Sequence, residues 1–132
     1  MSRAIHCVAA TVVFVAALGC SKAPGPTSSA DLEKSEMGDI YDCLVIYTKN
    51  QSKPPQQLSD LKKYEVTNGL AYRVLKEGKY VAVWGTPPGD GKVVLAYHKD
   101  ATTQGGAVLM GDGSMKTMTA ADLQAALKAK GK

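Results

Sequence analysis

The hydrophobic period of this chain changes at Lys79, and that break constrains its fold more than any other feature. Upstream, Met37, Ile40, Tyr41, Leu44, Val45 and Thr48 recur at helical spacing, which predicts an amphipathic helix over residues 31–49. Asp31, Glu33 and Glu36 sit in its first turns, where the helix dipole favours negative charge. Lys49 and Asn50 close it. Gly38 weakens it by about 1 kcal/mol relative to alanine. Ser52-Lys53-Pro54-Pro55 then breaks the chain. Leu58 and Leu61 suggest a short helical turn over residues 57–64. Asn68 is positioned to cap another brief helix, carrying Leu70, Ala71, Val74 and Leu75 and ending before Gly78.

Downstream, Tyr80–Trp84 and Lys92–His98 read as strands joined by the long turn Gly85–Gly91. A loop from Lys99 to Gly105 leads to a third strand, Gly106–Met110. Asp112 and Gly113 read as the centre of a two-residue type I′ hairpin, in which both residues need positive φ. Ser114–Met118 is the return strand. Thr119, with Asp122 three residues on, opens a C-terminal helix through Lys130, with Leu123, Ala126 and Leu127 as its apolar stripe. The expected class is α+β: an N-terminal amphipathic helix packed on a four-stranded antiparallel meander, followed by a C-terminal helix.

The N-terminus has a different character. Arg3 precedes the apolar run Val8–Leu18, and Gly19-Cys20 follows it. A basic start, a short apolar middle and small residues at the end make a secretory signal. The run is too short to span a bilayer, which takes about 20 residues. Ser21 to Ser29 is rich in Ser, Pro and Gly and has almost nothing to bury, as a tether would. The expected organisation is therefore signal 1–19, tether 20–30 and one domain, 31–132. A domain of about 100 residues buries somewhat over 60% of its unfolded surface, enough for one core. Cys7 leaves with the signal, and Cys20 lies at the cut. Only Cys43 remains, so no intramolecular disulfide can form. Cys43 falls in the apolar helical stretch and reads as a small buried hydrophobe, with a reactive thiol as the alternative. The net charge of +4 is spread thinly, without a basic stripe interleaved with aromatics, which excludes nucleic acid as the expected partner.

Ala17-Leu18-Gly19-Cys20 resembles the lipobox of bacterial lipoproteins. The resemblance implies that Cys20 receives diacylglycerol, that cleavage falls before it and that the new amino terminus is acylated with a chain such as palmitate. It implies a cell-envelope location, with the membrane as a partner through the lipid. Ser21 after the Cys implies the outer membrane, facing periplasm or cell surface. Two further stretches carry a second resemblance. Ile40-Tyr41 through Tyr47, Pro54-Pro55, Leu58 and Leu61 resemble the segment after the membrane part of a type II secretion major pseudopilin. Gly105 to Ser114 is similar to the end of a domain associated with prepilin processing, whose signature is a His followed nine residues later by Asp-Gly. Asp112-Gly113 matches that signature, and Thr102 stands where its His falls. This resemblance implies a pilin-like helix-plus-sheet fold and an envelope or secretion-system protein as partner. It does not imply pilus assembly, because the prepilin cleavage site is missing.

Catalytic signals are sparse. A Ser-His-Asp arrangement would need His98, with Ser114 as nucleophile and Asp100 or Asp112 as the orienting acid. Ser114 is better read as the residue leaving a hairpin, and no Gly-x-Ser-x-Gly elbow is present. Zinc has too few ligands. Asp90, Asp100 and Asp112 could serve calcium from loops around one sheet, but loop aspartates ordinarily make Asx turns. No metal and no cofactor are therefore expected. The remaining candidate is a binding loop, Trp84, Thr86, Pro87, Pro88 and Asp90, which sets an aromatic beside a stiff exposed turn. The expected function is a lipid-anchored, non-enzymatic binding or assembly module. The alternatives are a small envelope hydrolase built on His98 and a purely structural lipoprotein.

Overall fold

A computed structural model describes residues 28–130. The proposed signal, the lipidation cysteine and most of the tether lie outside the described residues.

The first helix, α1, runs Ser29–Gln51. It begins two residues earlier than the sequence spacing suggests, because Ser28 and Asp31 form a cap. The Asp31 N–H donates to Ser28 Oγ at 3.1 Å, and that hydroxyl donates to the Asp31 carboxylate at 2.7 Å. Ser29 and Ala30 thus belong to the helix and not to the tether. Nor does Asn50 end it: Ser52 does, at φ 55°. A 3₁₀ turn, Leu58–Tyr64, follows and buries Leu61 and Tyr64. Helix α2, Gly69–Lys76, has Asn68 at its N-cap, but that side chain makes no capping bond. At its other end Gly78 takes φ +72°, its N–H donates to Leu75 O, and the Lys79 N–H donates to Val74 O. These are the two bonds of a Schellman motif, which turns the chain directly into the sheet.

The sheet is a meander in the order β1-β2-β3-β4, all antiparallel. The strands are β1 Tyr80–Ala82, β2 Val94–His98, β3 Gly106–Met110 and β4 Met115–Met118. The first two are shorter than expected. Trp84 has left the ladder, as has Lys92, although the Val83 N–H still donates to Leu95 O at 2.7 Å. The loop before β3 contains one helical turn, α3 Ala101–Gln104. The register slips between Val94 and Ala96, where β2 bulges against β3. The bulge lets Leu95 and Ala96 both join the core on the α1 side, while Val94 packs on the opposite face.

The last hairpin differs from the two-residue type I′ turn. Its loop has three residues, Gly111, Asp112 and Gly113. The Met110 N–H donates to Ser114 O at 2.8 Å, and the Gly113 N–H donates to Met110 O at 3.0 Å. Only Gly113 has positive φ, at +85°; Asp112 does not. This is the turn-plus-bulge hairpin, in which a glycine takes the left-handed position. Helix α4, Ala120–Lys130, starts at the expected Thr119 cap, whose hydroxyl accepts from the Asp122 N–H and donates to the Asp122 carboxylate.

The architecture is α+β, with helices on both faces of the sheet. Met37, Ile40, Cys43, Leu44 and Tyr47 of α1 pack with the 3₁₀ turn, α2, Tyr80, Leu95 and Leu109 in the main core. On the other face Leu123 of α4 meets Val94, Ala101, Val108 and Met110 in a smaller cluster.

Candidate functional site

The loop from Val83 to Val93 is fixed at both ends. The Gly85 N–H donates to Pro55 O at 2.8 Å, tying the loop to the buried proline after α1. At the far end, the Gly111 N–H donates to Val93 O at 2.8 Å and the Gly89 N–H donates to Gly111 O. A Cβ on Gly111 would collide with the Asp90 carbonyl and Val93, so this approach needs glycine. Asp90 accepts from the Lys92 N–H at 2.9 Å, an Asx turn inside the loop.

This anchoring divides the candidate binding residues. Trp84 is half-buried and closes one end of the main core. Thr86 is buried, with its hydroxyl unpartnered among the described residues, so it cannot contact a partner as the loop stands. Pro88 is half-buried. Pro87 and Asp90 are exposed and supply the loop's outward surface with Gly89. Asp112 lies beside Gly91 and accepts from the Ser114 N–H and hydroxyl, which hold its carboxyl below the usual range. Gly113 packs against the Tyr41 ring.

At the opposite end of the sheet, α1 carries a charged residue into the core. Glu36 is 5% exposed. Its Oε2 accepts from Lys79 Nζ and, at 2.7 Å, from the Tyr80 hydroxyl. Burial alone would raise its pKa. The bonds from Lys79 and Tyr80 and the charges of Lys79 and Arg73 outweigh that, and the pKa is lowered. Burial and the Glu36 bond push the Tyr80 hydroxyl up. Next to this cluster, the His98 ring stands edge-on to Tyr80, and His98 Nδ1 lies 3.7 Å from the Asp100 carboxylate. The sequence signal for Glu36 was present: it shares a helical face with Ile40 and Cys43. By sequence alone, its place near the helix start reads as a dipole charge.

His98 ends β2 beside Tyr80, whereas Ser114 lies past Met110, which pairs with Val94 at the start of β2. Four residues of strand separate these levels by about 13 Å, so Ser114 and His98 do not form a nucleophile–base pair. The same separation divides Asp100 from Asp90 and Asp112. Among the described residues no three His, Cys, Asp or Glu side chains are placed to hold a metal ion. Cys43 is fully buried, and burial pushes its thiol up to about 11. No helix among the described residues is long and apolar enough to cross a membrane. No family model, curated protein or solved structure matches the chain.

Proposed function

We propose that this chain is a lipid-anchored, non-enzymatic binding or assembly module of the bacterial envelope. The observation that carries the reading is the sequence Gly19-Cys20 placed eight residues before Ser28, the cap of the first helix. Eight residues reach at most about 28 Å, so a lipid on Cys20 would hold the domain close to the bilayer. Several acyl chains, each contributing about 0.8 kcal/mol per buried methylene, make such an anchor durable. The contact surface in this reading is the tip of the anchored loop, Pro87, Gly89 and Asp90. A loop already tied at both ends loses little entropy on binding.

Cell fractionation tests the anchor: Cys20→Ser moves the protein from the membrane to the soluble extract, and a mutant that stays in the membrane fraction overturns the lipid assignment. Cross-linking of the lipidated protein in intact cells tests the loop. One dominant partner lost in Asp90→Arg supports a module acting through the tip. Unchanged capture in that variant removes the tip from the account.

A further inference from the structure

We propose that the pocket between α4 and the base of the Val83–Val93 loop binds a monocarboxylate with an apolar chain of roughly six to eight carbons. The proposal is independent of the lipid anchor. The pocket has a volume of about 180 Å³ and is walled by Val83, Val93, Val94, Ala126, Leu127 and Ala129. A sealed cavity of about 150 Å³ lined by aliphatic residues holds a six-carbon ring; this pocket is slightly larger and open on one side, so it takes a slightly longer chain whose polar end meets solvent.

Charge selects the occupant. Among the described residues, the charged side chains lining the pocket are Lys92 and Lys130, and no acidic side chain lines it. A ligand that fills the apolar walls and puts an anionic oxygen at the rim that carries these two lysines satisfies both surfaces. Lys130 is already positioned: its Nζ donates to the carbonyls of Val83 and Trp84, leaving a third N–H. Desolvation there lowers the Lys130 pKa, and an incoming carboxylate restores the stabilisation of the ammonium that hydration gave. The Lys92 backbone N–H donates to the Asp90 carboxylate, which fixes the main chain at this rim of the pocket while the lysine side chain stays exposed. On this side of the sheet α4 fully buries Leu123 alone.

Trp84 is the only tryptophan, and its carbonyl is one of the two that Lys130 grips. Its fluorescence is therefore the readout, with the full chain in phosphatidylcholine vesicles titrated with octanoate and, separately, with octanol. The expected result is a saturable change with octanoate at an affinity about tenfold above that for octanol. In Lys92→Glu, an exposed position that leaves the fold intact, octanoate loses about that tenfold and octanol is unchanged. No saturable change, or equal affinities for octanoate and octanol in both proteins, overturns the proposal. Quenching of Trp84 by chain-brominated phosphatidylcholine, equal with and without octanoate, also overturns it, by assigning the pocket to bilayer lipid.

Discussion

The two faces of the sheet are built on different principles. Among the described residues, the face toward α1 gathers sixteen buried side chains in one cluster, drawn from α1, the 3₁₀ turn, α2 and three strands. The face toward α4 gathers five, of which Leu123 is the only one from α4. A cluster fed by many elements resists local opening, because no single element can leave without exposing the others. A face held by one fully buried leucine, a cap and the half-buried Ala126 and Leu127 opens at lower cost. The first face fixes the shape of the domain. The second leaves a pocket and a helix that can yield to a ligand.

Truncations should separate the two faces by size. Ile40→Ala removes a fully buried side chain from the larger cluster and is expected to cost about 4 kcal/mol. Leu123→Ala, also fully buried, is expected to cost about 3 kcal/mol. Its effect should appear first as lost hydrogen-exchange protection in α4 and α3, with α1 and β2 still protected. Urea denaturation of both variants checks the order, and equal global losses with no local signature would erase the contrast.

The Glu36 pair sharpens the same comparison from the polar side. Glu36→Gln is expected to cost about 2 kcal/mol at neutral pH, below the usual value for a broken buried pair because Lys79 is partly exposed and can rehydrate. The folded-state pKa of Glu36 lies below its ordinary 4.5. Its contribution is therefore present above that value and is lost as pH falls through the lowered pKa. The wild type and Glu36→Gln should converge in stability below pH 4.5 and separate above it; parallel curves would remove Glu36 from the account. Cys43, inside the larger cluster, should resist thiol reagents in the folded protein and react on unfolding, as burial and a pKa of about 11 require. The smallest effect belongs to the α4 cap: Thr119→Ala is expected to cost about 1 kcal/mol, read as a shifted urea midpoint.

What the sequence made legible follows the same division. Met37, Ile40 and Leu44 of the helical stripe, the break at Lys79 and the Thr119–Asp122 cap each signal themselves locally, and each appears in the fold. The features that leave no local signal are tertiary. The bulge in β2 puts Leu95 and Ala96 on one face, which no alternation rule anticipates. Gly111 sits in the last hairpin because the Asp90 carbonyl comes against it, a contact from a distant loop that also fixes a three-residue turn. Thr86 reads as exposed in a Pro/Gly-rich stretch, yet Gly85's bond to Pro55 draws the loop base inward. Ser28 caps α1 from a segment whose composition says tether.

Native-state hydrogen exchange across the whole domain tests the contrast most directly. The two-face account predicts that amides of α4 exchange through a local opening well below the global unfolding free energy, while those of α1, β2 and β3 exchange only on global unfolding. Exchange of α4 at the same free energy as α1 would contradict it, and would make the sheet's two faces one cooperative unit.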